Sequence, residues 1–79
     1  MYVYTLQSLK DPSRKYIGRT SNLRQRLSYH NAGKSTHTAK YTPWKVITAT
    51  WFSDKDKAFK YERYLKHGSG HAFAKRHLY

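Results

Sequence analysis

The sequence predicts an α+β fold in which a three-stranded antiparallel sheet packs against helices, in the order ββαβαα. Two short alternating segments near the start of the chain are separated by a turn signal, as in a hairpin. A third segment rich in Val, Ile, Thr and Trp lies between two helical patterns, and a short helical pattern ends the sequence. The 79 residues are expected to form a single domain, because they leave no room for a second.

Two strands are predicted near the start of the chain. Residues 2–6 alternate between two faces, and residues 15–19 form a second short strand. The polar segment between them contains Asp11-Pro12-Ser13, which is typical of a turn. We therefore expect an antiparallel hairpin with a long loop.

The first helix begins after Ser21 or Asn22, since either side chain can cap its free backbone N–H groups. Asn31 and Gly33 end this helix. A basic loop rich in Ser and Thr follows over residues 33–44.

The third strand is expected at residues 45–52, after a proline that favours an extended entry. Asp54 caps a second helix that runs to about His67. A break at residues 69–70 then separates it from a short terminal helix over residues 71–77.

Charge is the clearest feature of the composition, with 16 Lys and Arg against four Asp and Glu and a formal net charge of +12. Such an excess repels itself and is typical of proteins that bind a polyanion, so a nucleic-acid partner is expected. No apolar run approaches the ~20 residues of a membrane span, and no membrane partner is expected. Without Cys or a signal-like N-terminus, the sequence predicts a soluble cytoplasmic protein that has no thiolate metal site.

Glu62 is the acidic residue that turns and helix caps do not explain, because the other three acids lie in the predicted turn or at the start of the second helix. It shares the inward stripe of that helix with Ala58, Tyr61 and Leu65. A carboxylate is costly there unless a cation satisfies it. The sequence therefore indicates that Glu62 holds a divalent metal ion beside a nucleic-acid phosphate.

The inward stripe of the first helix consists of Leu23, Arg26, Leu27 and His30. Two of its four positions, Arg26 and His30, are therefore cationic and not apolar. Either one alone is explained by a long side chain that reaches solvent at the edge of the sheet. Together with Glu62, they indicate a polar pocket in which a metal ligand faces phosphate-binding cations.

An ordered set of motifs resembles the GIY-YIG nuclease superfamily. A Tyr-Ile-Gly tripeptide at residues 16–18 is followed by Arg26 ten residues after its Tyr, by His30, and by a late helical segment that contains Glu62. A Tyr-Val-Tyr tripeptide at residues 2–4 stands where the family has its first signature, with Tyr in place of Gly. The resemblance covers nearly the whole chain, whose length is that of a minimal stand-alone member similar to the N-terminal nuclease domain of the UvrC excinuclease.

This resemblance implies a DNA endonuclease that uses one divalent cation, Mg²⁺ or Mn²⁺, a water nucleophile and a tyrosine general base. It implies that Glu62 is the metal ligand, that Arg26 binds the scissile phosphate, and that His30 accepts a proton from a tyrosine or orients the phosphate. Tyr4 and Tyr16 are the tyrosines of the two signatures, and which of them is the base stays open. A phenol acting as base at neutral pH needs its pKa lowered by roughly 3 units, which the metal and the arginine are expected to supply.

Further residues are candidates for nucleic-acid binding. They are Arg19, Lys34, His37, Lys40, Tyr41, Arg63 and Lys66. An exposed Tyr41 or Trp44 is expected to stack on unpaired bases, which would favour single strands, flaps or distorted duplexes. The form of the DNA stays open between single-stranded, branched and duplex. Two alternatives also stay open: a non-catalytic basic nucleic-acid-binding module, and a nuclease domain that is active only with a partner protein.

Several residues are expected to serve the structure. Gly18 is expected to allow a close approach of a helix or a bulge. His67 and His71 are expected to be exposed loop residues, since no Cys or third ligand accompanies them. Four other tyrosines are expected to pack in the core or lie at its rim: Tyr2, Tyr29, Tyr61 and Tyr64.

Overall fold

The computed structural model describes all 79 residues and has the predicted α+β element order. Its strands are β1 (Tyr2–Ser8), β2 (Lys15–Thr20) and β3 (Trp44–Trp51). Its helices are α1 (Leu23–Asn31), α2 (Lys55–Lys66) and α3 (Gly68–His77), and a 3₁₀ turn covers Ala39–Tyr41. None of the helices has the length and hydropathy that a membrane-crossing helix requires.

The sheet has the strand order β2-β1-β3, and both pairings are antiparallel. Tyr4 of the central strand lies opposite Gly18 on one side and Ala49 on the other. The β1–β3 pairing shifts its register between Thr5 and Leu6. The predicted hairpin of β1 and β2 is confirmed, and β2 forms one free edge of the sheet.

The first of two small cores lies between the sheet and the helices α2 and α3. Val3 and Ile17 project from β1 and β2 toward Ala58 and Leu65 of α2 and Ala74 of α3, and all five side chains are buried. The predicted inward stripe of α2 is thereby confirmed.

The second core lies on the opposite face of the sheet, because neighbouring residues of a strand point to opposite sides. Tyr4, Leu6 and Trp44 are buried there, with Leu23 and Leu27 of α1 packed against them. The sheet therefore has helices on both faces.

The helix caps follow the local rules used in the sequence analysis. Asn22 caps α1, since its side chain accepts a hydrogen bond from the backbone N–H of Gln25. Asp54 caps α2 by accepting from the backbone N–H groups of Asp56 and Lys57. Both caps satisfy N–H groups that have no partner within the helix.

Helix α3 begins at Gly68, three residues before its predicted start, so the predicted break at residues 69–70 is wrong. Gly68 has a φ of +54°, which favours glycine, and this conformation turns the chain from α2 into α3. A Cβ on Gly70 would lie 1.7 Å from the backbone oxygen of Tyr64. The absence of a side chain at Gly70 therefore allows α3 to pack closely against α2.

Candidate active site

Three buried side chains form a hydrogen-bonded line on the α1 face of the sheet. The hydroxyl oxygen of Tyr4 lies 3.0 Å from His30 Nε2, and His30 Nδ1 lies 2.8 Å from Thr38 Oγ1. None of the three residues is more than 3 % exposed. The imidazole can donate to one hydroxyl while it accepts from the other, so either tautomer satisfies all three groups.

The loop after α1 is fixed by contacts with Trp44. The Asn31 side chain exchanges two hydrogen bonds with the backbone of Trp44, which joins the end of α1 to the start of β3. The indole N–H of Trp44 donates to the backbone oxygen of Thr38 at 2.9 Å. These contacts place Thr38 beside His30. No sequence pattern distinguishes Thr38 from the other hydroxyl residues of the loop.

The expectation of an exposed aromatic ring for base stacking is wrong for Trp44. Trp44 is 4 % exposed, since its ring fills the core on the α1 face and its N–H needs a buried acceptor. Trp44 therefore presents no free face to a base. Tyr41 is half-buried against the same core, and the guanidinium of Arg14 lies 4.6 Å from the centre of its ring.

Gly18 lies where the ring of Tyr4 crosses β2. A Cβ at this position would stand 2.6 Å from the Tyr4 hydroxyl oxygen and 3.0 Å from the ring of Tyr16. A larger residue would therefore push the Tyr4 ring aside. The close approach predicted at Gly18 is present, but a tyrosine ring makes it and not a helix.

The two signature tyrosines share His30 as a neighbour. Tyr16 lies on the same face of the sheet as Tyr4, and their ring centroids are 6.4 Å apart. The Tyr16 and His30 rings are 4.9 Å apart. The predicted proximity of the two phenols is therefore present, and the imidazole contacts both rings.

Glu62 is held by two cations. Its side chain is 14 % exposed, with one carboxylate oxygen 2.8 Å from Arg19 Nε and the other 3.0 Å from Lys66 Nζ. Lys66 Nζ also lies 5.8 Å from the centre of the Tyr16 ring. Lys66 therefore lies between the Glu62 carboxylate and the Tyr16 ring, at the free edge of β2. These cations satisfy the carboxylate in the way that its inward position requires.

Arg26 lies at the rim of the site, although the sequence predicted it on the inward stripe. The residue is exposed, because Leu23 and Leu27 fill the space between α1 and the sheet and the charged group keeps its water. Its guanidinium lies 5.1 Å from the centre of the Tyr29 ring. Together with Lys34, it lines an open cleft of about 600 Å³ on the outer side of α1.

Burial sets the protonation of the hydrogen-bonded pair. It raises the pKa of Tyr4 far above that of a free phenol; Tyr16 adds to this rise, Arg26 partly opposes it, and Glu62 raises the pKa further. This direction is opposite to the lowering expected for a tyrosine base. Burial, followed by Arg26, lowers the pKa of His30, so the imidazole is neutral at neutral pH.

The other candidates for nucleic-acid binding lie on two sides of the molecule. Lys34, His37 and Lys40 are exposed along the loop between α1 and β3. Arg63 is exposed on α2, and its guanidinium lies 5.5 Å from the centre of the Phe59 ring. Arg19 and Lys66 are the members of the predicted set that contact Glu62.

The donor set fits a weakly held divalent metal. No three His, Asp or Glu side chains lie close enough together to form a metal site from protein ligands alone. His67 and His71 are exposed as predicted, although His71 lies in α3 and not in a loop. Glu62 offers one carboxylate, which suits Mg²⁺ when water and a phosphate supply the other ligands.

Comparison with known proteins agrees with these features. A family profile described as the GIY-YIG catalytic domain matches residues 1–75. A UPF0213 protein of Streptococcus pneumoniae serotype 4 is 44% identical over 69 residues, which cover 82% of this chain and 65% of that protein. A UPF0213 protein of Lactiplantibacillus plantarum is 45% identical over 60 residues, with coverage of 68% and 56%. No solved structure matches significantly.

Another relative is named a structure-specific endonuclease subunit, SLX1, and comes from Yarrowia lipolytica. It is 39% identical over 72 residues, which cover 82% of this chain and 25% of that protein. The chain spans less than two thirds of the length of each of these three relatives. The profile match over residues 1–75, on a fold that brings the two signature tyrosines and His30 together, shows that the chain belongs to the GIY-YIG catalytic domain family.

Proposed function

We propose that the chain is a metal-dependent endonuclease that cleaves DNA phosphodiester bonds with water as the nucleophile. The observation that carries this proposal is the buried hydrogen bond between Tyr4 and His30, which lies beside Tyr16. Lys66 connects this group with the carboxylate of Glu62 at the edge of the sheet. The set combines a proton acceptor with groups that suit a phosphate and a divalent metal.

Arg26 binds the scissile phosphate in this proposal. Its guanidinium is exposed and forms no ion pair with an acidic side chain, so it is free to bind an anion. A guanidinium can donate two parallel hydrogen bonds to phosphate oxygens. It thereby stabilises the negative charge that develops on the phosphate in the transition state.

Tyr4 and His30 act together as the proton acceptor. Because burial keeps Tyr4 as a neutral phenol, the hydroxyl oxygen takes a proton from the attacking water while its own proton passes to His30 Nε2. His30 is available as the acceptor because its lowered pKa leaves it neutral. In this scheme His30 carries its proton on Nδ1, which donates to Thr38, so that Nε2 can accept. No free phenolate is needed in this scheme.

Glu62 is the residue that holds Mg²⁺ or Mn²⁺ in this proposal, with water and substrate phosphate as the other ligands. The metal, when bound, supplies positive charge that stabilises the leaving 3′ oxygen. Tyr16 lies between the proton acceptor and Lys66, where its hydroxyl can orient water or phosphate.

The test is cleavage of labelled single-stranded, duplex and branched DNA in the presence of Mg²⁺ or Mn²⁺. We expect Glu62→Gln and Arg26→Ala to cut at least about 100-fold more slowly while they retain most DNA binding. Asp56→Asn is the matched control, because it removes an exposed carboxylate from the same helix. Full activity of Glu62→Gln would contradict the proposal.

The two alternatives predict different results in the same assay. A basic binding module would bind DNA and leave every substrate uncut. The name of the Yarrowia lipolytica relative, a structure-specific endonuclease subunit, supports a preference for a DNA structure over a DNA sequence and supports a protein partner. Cutting that appears only after a partner protein is added would favour a nuclease that works as a subunit.

A further inference from the structure

The two oxygens of Glu62 are each occupied by a different cation. Arg19 Nε lies 2.8 Å from one oxygen, and Lys66 Nζ lies 3.0 Å from the other. Because the Glu62 side chain is only 14 % exposed, water screens these charges less than it does on an open surface. Because like charges repel, a divalent metal binds Glu62 more favourably when one of the two cations leaves the carboxylate.

Arg19 is the more firmly held of the two. Its guanidinium lies 4.5 Å from the centre of the Phe59 ring, and its backbone lies in β2 opposite Val3. A planar guanidinium that is stacked on a ring loses little freedom when it also binds a carboxylate. Displacing Arg19 would therefore break two contacts.

Lys66 is the cation that can leave at lower cost. The two side chains are about equally exposed, 39 % for Arg19 and 41 % for Lys66, so exposure does not separate them. Lys66 differs because its ammonium rests on four flexible carbons, one helical turn after Glu62. Its other contact is the ring of Tyr16, whose centre is 5.8 Å from Nζ. When Nζ leaves the carboxylate, it is therefore already beside the tyrosines, on the side where a substrate phosphate would lie.

We propose that Lys66 occupies one oxygen of Glu62 in the free protein and moves to a substrate phosphate when a divalent metal takes its place. Lys66 thereby couples metal binding to nucleic-acid binding, because each ligand removes a cost of binding the other. The free protein binds metal weakly, and binding tightens on DNA. This inference rests on the proposed function, in which Glu62 is the metal ligand.

The first test measures Mn²⁺ affinity without DNA, by electron paramagnetic resonance of the unbound ion. We expect Lys66→Met to raise the affinity roughly tenfold, because a charge-assisted hydrogen bond no longer competes. Lys60→Met is the matched control: it removes the same charge from an exposed position on α2 and should change the affinity much less. Equal affinities of the two variants would overturn the inference.

The second test follows Lys66 directly in a protein whose lysines carry ¹³C-labelled methyl groups, which keep the positive charge. The Lys66 resonance, assigned by its absence in Lys66→Arg, should shift as Mg²⁺ is added. In Glu62→Gln the Lys66 resonance should lie near its Mg²⁺-shifted position before any Mg²⁺ is added, and it should move little when Mg²⁺ is added. If Mg²⁺ binding depends on Glu62 but the Lys66 resonance does not move, only the role of Lys66 is overturned. Metal binding that does not depend on Glu62 would overturn the proposed metal ligand as well.

Discussion

His30 is buried between two hydroxyl groups, and this position sets how its charge affects stability. In the unfolded chain a histidine takes a proton near pH ~6.5. In the folded protein the pKa of His30 is lowered, first by burial and then by Arg26. Its contribution to stability is therefore complete above pH ~6.5 and is lost as the pH falls through the folded pKa.

We therefore predict that acidification from pH 7 to 5 lowers the free energy of unfolding, and that His30→Gln weakens this pH dependence. The variant should also be less stable by about 1–3 kcal/mol at pH 7, because Tyr4 and Thr38 lose a partner. Urea unfolding at several pH values measures both effects. His37→Gln, at an exposed position, is the control. The same pH slope in the two variants would contradict the role assigned to burial.

Tyr4 and Tyr16 can be separated by removal of one hydroxyl at a time. Tyr4→Phe keeps the ring over Gly18 but leaves His30 Nε2 without its partner, so stability should fall by about 1–2 kcal/mol. DNA cleavage should fall by about 100-fold or more, since a proton acceptor is lost. Tyr16→Phe should be nearly as stable as the parent chain. Unchanged cleavage by Tyr4→Phe, with activity lost in Tyr16→Phe, would assign the base to Tyr16.

At the scale of elements, the contact between α2 and α3 depends on the absence of a side chain at Gly70. A Cβ would lie 1.7 Å from the Tyr64 backbone oxygen, which cannot move without bending α2. We predict that Gly70→Ala lowers the free energy of unfolding by about 1–3 kcal/mol or more, because overpacked contacts force backbone shifts. Ser69→Ala, at an exposed neighbouring position, should cost little. Equal thermal midpoints of the two variants would show that α3 is free to shift.

The element order was predictable because each helix and strand carries its own local pattern. The caps Asn22 and Asp54 also follow from local hydrogen bonding. The start of α3 was not predictable, because glycine and serine usually interrupt helices. Gly70 is instead required by the close approach of α2, which leaves no space for a side chain. A contact between two helices cannot be predicted from the residues that neighbour it along the chain.

In the candidate site, too, features with a local sequence pattern were predictable, whereas features set by tertiary contacts were not. Glu62 stood out because a carboxylate on an apolar stripe needs a cation to satisfy it. The sequence predicts a divalent metal ion in that role, whereas in the structure Arg19 and Lys66 contact the carboxylate. Trp44 and Arg26 were misplaced because their exposure depends on how a loop and two leucines fill the second core. Thr38 was missed because its role arises only when the loop folds back onto His30.

At the scale of the whole molecule, the few acids are placed with little freedom. Asp11 accepts hydrogen bonds from Ser13, and Asp54 caps α2, so both serve nearby backbone. Glu62 instead joins β2 to α2 through Arg19. With 16 basic residues against four acids, the rest of the surface repels itself and is compensated when a polyanion binds.

The placement of helices on both faces of one sheet has a consequence for when the protein can act. Tyr4 and His30 belong to the layer built with α1, whereas Glu62 belongs to the layer built with α2. These groups come together only past the free edge of β2, after both layers have docked. A half-assembled chain would therefore carry only half of the groups that the proposed cleavage needs.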